Sequence, residues 1–220
     1  MSLVEAFIFT NGAEIAKHCE QCLKAQTVPC PYRIIQGKSL LDAIQFAMEE
    51  SVSDFFIKLD DDMLLHPRAI EYLTPRLRVC RERRNLAMYG CRLWEPWGNR
   101  TIRCIKAYKT KACRDIGFRS DKRGKIDRAF VADMTQKGYR HLQDRSVIAV
   151  HGLRSLSDQQ QYRRLWARNA GKTVSELRSV DKDQTRIVSV VPSYKKQVKW
   201  IRKIDTVNEK TKFGKLLRDG

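Results

Sequence analysis

The first sixty residues alternate between a strand pattern and a helix pattern, and that alternation leaves few architectures open. "VEAFIFT" (Val4 to Thr10) is β-rich and apolar enough for a buried strand. "AEIAKHCEQCLKAQ" follows, with Ile15, Cys19, Cys22 and Leu23 at helical spacing. "YRIIQG" and "SLLDAIQFAMEES" repeat the pair, with Leu40, Leu41, Ile44 and Met48 at helical spacing, and "DFFIKL" supplies a third strand. Strands separated by helices point to an α/β fold: a mostly parallel, Rossmann-like sheet flanked by helices. No internal repeat or low-complexity segment interrupts the pattern.

In such a sheet the carboxyl ends of the strands open onto the ligand crevice. The stretch "DFFIKLDDDMLLHP" therefore delivers Asp60, Asp61 and Asp62 to the place where chemistry is expected. Adjacent carboxylates repel, and a cluster of hard oxygen ligands is stabilised by Mg2+ or Mn2+, which in turn can hold a diphosphate. The same residues also read as an exposed acidic turn ahead of the helix that Pro67 begins, "PRAIEYL".

The chain has 43 Lys and Arg against 25 Asp and Glu, a net charge of +18. That excess implies an anionic partner. Residues 156–220 carry +9 of it, so the net positive charge per residue there is more than twice that of residues 1–155. Two parts are expected: a catalytic α/β domain over residues 1–155 and a basic, mainly helical extension over 156–220. Seven cysteines without framework spacing read as reduced core thiols, which together with the lack of a secretory signal or a spanning apolar run suggests a cytoplasmic protein. His18, Cys19 and Cys22 have metal-like spacing, but no second cysteine pair completes a zinc site.

Motifs in order along the chain carry a resemblance. "CLKAQT" (Cys22 to Thr27) ends the first helix, "LDDDMLLHPRAIEYL" contains a D-x-D at Asp60 and Asp62, and "KIDRAFVADMTQKGYRHLQDRSVIAVHG" holds Asp127, Gly138, Tyr139 and His151. This set, spread over residues 4 to 152, resembles the GT-A-fold glycosyltransferases, closest to the family 2 type.

The resemblance implies a metal-dependent transferase acting on a nucleoside-diphosphate sugar, with Mn2+ or Mg2+ as cofactor. It implies Asp62 and His151 as metal ligands, Asp60 on the metal or the ribose, and Thr10, Asn11, Gln36 and Asp61 on the donor side. Asp127 would be the general base that activates an acceptor hydroxyl, with inversion at the anomeric carbon. Read without the resemblance, His151 is a polar turn residue before Gly152 and Asp127 a surface residue of a basic loop. Family members often carry a base-recognising Asp in the second strand, whereas this chain has Gln36, Lys38 and Ser39, which leaves the base unspecified.

Acceptor recognition is expected in "YGCRLWEPWGNR", a Pro/Gly-containing loop in which Trp94 and Trp97 either offer faces to a sugar ring or fill the core. In the tail, "PSYKKQVKWIRKI" places Tyr194, Val198, Trp200, Ile201 and Ile204 on one half of a helix and its basic residues on the other. That helix either packs its apolar half on the domain or lies on an anionic membrane surface, bringing a glycan or lipid-linked acceptor within reach. Two other classes share some of these features. A nucleotidyltransferase could use the same aspartates, and a nucleic-acid binder would explain the charge but not the three carboxylates.

Overall fold

The computed structural model describes residues 2–12, 15–95, 100–152, 194–208 and 211–219. The expected alternation is present: β1 (Val4–Thr10), α1 (Ala16–Lys24), β2 (Tyr32–Gln36), α2 (Leu40–Glu50) and β3 (Phe55–Asp60). Then come β4 (Met63–Leu65), α3 (Ala69–Arg81), β5 (Leu86–Glu95), β6 (Arg100–Lys109), α4 (Thr110–Ile116), α5 (Ile126–Gln136) and β7 (Arg140–His151). Two C-terminal helices follow, α6 (Tyr194–Val207) and α7 (Lys212–Asp219).

The seven strands form one sheet in the order β2-β1-β3-β6-β5-β7-β4. β1 pairs in parallel with β2 and β3, β5 in parallel with β7, and β6 and β4 run against their neighbours, so five strands share one direction. All seven residues of β1 are buried because each face of the strand meets its own core. Val4, Ala6 and Ile8 join α1, α3 and the C-terminal helices; Phe7 and Phe9 join α2, α4 and α5. Buried Glu5 fixes the entry to β3, accepting hydrogen bonds from the Ser51 hydroxyl at 2.6 Å and the Val52 amide at 2.9 Å.

The sheet curls, and the sequence of its strands shows why. Only Asp61 and Asp62 separate β3, in the middle of the order, from β4, at its far edge. β4 pairs antiparallel with β7 in a register that sets Met63 opposite His151. The stretch around Trp94, expected as a loop, is strand β5: nine of its ten residues are buried, a run apolar enough to cross a sheet covered on both sides.

Residues 153–193, which include the first part of the expected 156–220 extension, lie outside the described residues. From α6 and α7, Ile201, Ile204 and Phe213 are buried in the core against β7. Asn208 seals the contact. Its side chain accepts from the Val147 amide at 2.9 Å and donates to the Val147 carbonyl at 2.6 Å, pairing a strand segment that the three-residue β4 is too short to reach. Phe213 packs edge-on against Tyr72 and His66. Of the half of α6 expected to be apolar, Ile201 and Ile204 pack on the protein, and the side chains of Tyr194, Val198 and Trp200 lie outside the described residues; on the other half, Lys199, Arg202 and Lys203 are exposed. No helix among the described residues is long and apolar enough to cross a membrane.

Candidate active site

The carboxyl ends of β1 and β3 lie side by side because Phe9 is in register with Asp60, and the Asp61 amide continues the pairing by donating to the Phe9 carbonyl at 3.1 Å. A cleft of about 320 Å3 opens there, with Thr10, Asn11, Asp60 and Asp61 on one side and Lys38 and Ser39 on the other. Ser39 also caps α2, its hydroxyl accepting from the Asp42 amide at 3.2 Å. Gln36, paired with Thr10 in the sheet, stands at the mouth of this region against Gly12. Gly12 has φ +87°, and a Cβ there would come within 2.9 Å of the Gln36 amide nitrogen, so only glycine fits the turn.

Behind the cleft, Asp62 meets His151: Oδ2 and Nε2 are 3.1 Å apart. The other ring nitrogen, Nδ1, is 3.5 Å from Glu95 Oε1, and Arg100 pairs with Glu95 in turn. Asp62 and Glu95 are both buried. Burial alone would lower the His151 pKa, but the two carboxylates outweigh it and raise it to about 9. His151 is therefore an imidazolium at neutral pH when no other cation is near.

Asp60 turns to Lys58, with Oδ1 2.7 Å from Nζ. Among the described residues no three His, Cys, Asp or Glu side chains converge on one point where a metal could sit. Of the three expected ligands the fold brings Asp62 and His151 together, with Asp60 at the start of the same turn. One carboxylate oxygen and one imidazole nitrogen make a partial donor set, compatible with Mn2+ and less suited to Mg2+, which favours oxygen ligands throughout.

Asp127 stands in the first turn of α5, two-thirds exposed, and its Oδ2 is 2.6 Å from Lys106 Nζ. Tyr108 reaches the same carboxylate at 3.5 Å. Partial burial pushes the Asp127 pKa up, but Lys106 and Lys58 prevail and hold it below the ordinary carboxylate value. Gly138, with φ +77°, ends the turn after α5 and lets Tyr139 start the path into β7, which accounts for the "KGY" motif.

Of the two readings of Trp94, the structure shows the one in which it fills the core. Trp94 is buried, 8% exposed, within the core that also holds Leu93 and Val150, and the Tyr89 hydroxyl donates to Asp144. Trp97 lies outside the described residues. Three site residues escaped the sequence reading: Glu95, Lys58 and Lys106. Lys58 had a visible signal, a lone charge inside the apolar strand "DFFIKL", whereas nothing in the sequence links Lys106 or Glu95 to the aspartates.

No protein-family model matches the sequence, and no curated protein matches it. Solved structures do share the fold. TarS 1-349 from S. aureus in complex with UDP-GlcNAc superposes with a TM-score of 0.55 at 10% identity, covering 68% of this chain and 58% of that one. A longer TarS structure gives 0.54 at 11% identity over 76% of this chain and 39% of that one. The mannosyltransferase PcManGT from Pyrobaculum calidifontis, in complex with GDP-Man and Mn2+, aligns over 67% of this chain and 56% of its own, with 14% identity and a TM-score of 0.48. The chain thus spans less than two thirds of each of these proteins. At such identities the likeness is one of fold: this chain has a GT-A glycosyltransferase-like fold, a curled sheet flanked by helices.

Proposed function

We propose that the protein is a metal-dependent glycosyltransferase that moves a sugar from a nucleoside-diphosphate sugar to a hydroxyl of a glycan or lipid-linked acceptor, with inversion at the anomeric carbon. The observation that carries this reading is the joint placement of Thr10, Asn11, Asp60 and Asp61 around one cleft at the ends of parallel strands, with Asp62 and His151 paired directly behind it. The TarS complex with UDP-GlcNAc, on the same fold, supports a nucleotide-sugar donor.

In this reading the cleft between β1 and β2 takes the nucleoside. Lys38, Ser39 and Gln36 occupy the side where the base would be recognised. Asp62 and His151 would hold the ion, whose chemistry when bound would be to neutralise charge on the departing diphosphate. His151 would serve as a neutral imidazole there, with Glu95 on Nδ1 orienting the ring. Asp127 accepts the proton of the acceptor hydroxyl. Lys106 keeps that carboxylate ionised, and the same contact weakens its pull on a proton, so transfer comes late, once bonding to the anomeric carbon has made the hydroxyl acidic. Residues 1–155 would form the catalytic part, with α6 and α7 bracing β7. The exposed Lys199, Arg202 and Lys203 leave an electrostatic contact with an anionic acceptor surface open without insertion of the helix.

Thermal shift with a panel of nucleotide sugars, nucleoside triphosphates and free nucleosides, each with and without Mn2+, tests the reading. Stabilisation by a nucleoside-diphosphate sugar that depends on Mn2+ supports it. Stabilisation by a triphosphate alone would favour a nucleotidyltransferase.

A further inference from the structure

Lys58 on β3 and Lys106 on β6 are directly opposite each other in an antiparallel pair, so both side chains leave the same face of the sheet. Like charges opposed in this way destabilise a sheet. Both lysines are also largely shielded from water, at 13% and 17% side-chain exposure. Each is compensated by a different carboxylate: Lys58 by Asp60 at 2.7 Å, Lys106 by Asp127 at 2.6 Å. Two positive charges against two negative ones leave no surplus for an anionic substrate. What the arrangement does is tie the end of β3 to the first turn of α5 through a row of four charges, with the two lysines adjacent and a carboxylate at each end. These are the carboxylates that the proposed function sets at the donor cleft and at the acceptor hydroxyl.

We propose that Lys58 and Lys106 are positioning residues of the transfer reaction: Lys58 sets Asp60 toward the donor cleft, Lys106 holds Asp127 toward the acceptor, and their opposition couples the two sides. The coupling has a simple electrostatic origin. When the ribose hydroxyls of a bound donor draw Asp60 into hydrogen bonds, Lys58 is left as an ammonium facing Lys106, and Asp127, already within its field, becomes the carboxylate both must share. Donor binding thereby tightens the hold on Asp127. This inference rests on the glycosyltransferase reading.

The test uses the full chain with Mn2+ and either UDP-GlcNAc or GDP-mannose. Calorimetry gives the donor Kd, and release of the nucleoside diphosphate during donor hydrolysis gives kcat. Lys106→Met should lower kcat by about 10-fold or more with donor Kd within about twofold, and Lys58→Met should weaken Kd by about 5-fold. Arginine at either position should restore wild-type behaviour to within about threefold, which a packing role would not allow. In the Lys58→Met/Lys106→Met protein the effects should fall short of the product of the single ones. Unchanged kcat in Lys106→Met, or multiplicative effects in the double variant, would overturn the proposal. A wild type that binds no member of the nucleotide-sugar panel would instead remove the function reading. Urea-unfolding cycles for Lys58→Met with Asp60→Asn and for Lys106→Met with Asp127→Asn then decide whether the lysines hold the carboxylates: coupling of at least about threefold in the folding constant is expected, and additivity would show that they do not.

Discussion

His151 Nε2 lies 3.1 Å from Asp62 Oδ2 although the two residues are 89 apart in sequence. The antiparallel register of β4 on β7, with Met63 opposite His151, creates this contact. Asp62→Asn is expected to abolish Mn2+-dependent binding of a nucleotide sugar, and His151→Ala and Asp60→Asn to weaken it, as measured by calorimetry. Unaltered affinity in the Asp62 variant would separate this pair from metal binding.

Asp127→Asn keeps the shape of the side chain but removes the proton acceptor. Donor affinity should persist while kcat falls by roughly 10²-fold, the scale for loss of a general base. A variant that transfers sugar at a near-normal rate would place the base elsewhere.

Asn208→Ala would leave the Val147 amide and carbonyl without the partners they have in a fully buried position. A loss of about 2 kcal/mol is expected in urea unfolding. Phe213→Ala, which empties a fully buried ring site against Tyr72, should cost about 3 kcal/mol or more. Deletion of residues 192–220 should therefore lower the melting temperature of the whole protein. A truncated chain as stable as the intact one would mean that α6 and α7 dock only loosely.

Glu71 reports on the same region. The Arg68 guanidinium holds both of its oxygens, at 2.9 and 2.7 Å, and Thr27 adds a hydrogen bond, which together push its pKa down to about 2. A carboxylate whose pKa is depressed on folding contributes stability above its unfolded value, about 4.3, and loses it as pH falls through the folded one. The stability gap between the wild type and Glu71→Gln should be steady at neutral pH and narrow as pH drops from about 5 toward 3. Partial exposure limits the gap to about 1 kcal/mol. A gap independent of pH would show that the ion pair adds nothing.

Local patterns determined the front of the molecule. The period-2 and period-3.6 runs from Val4 to Asp60 were enough to order β1, α1, β2, α2 and β3, because each element is short and strongly patterned, and the rule that ligands gather at strand ends singled out Asp60 to Asp62 without further help. Motif order also brought Asp127 and His151 into consideration. What the sequence did not carry was register. Whether Trp94 lay in a loop or a strand depended on the pairing of β5 with β6 and β7. Whether Ile201 and Ile204 of α6 met lipid or protein depended on the part of β7 left uncovered by the short β4. The opposition of Lys58 and Lys106 and the meeting of Asp62, His151 and Glu95 likewise exist only once distant strands are aligned. Spacing along the chain encodes which face a residue occupies, but the neighbours across that face are chosen by tertiary packing.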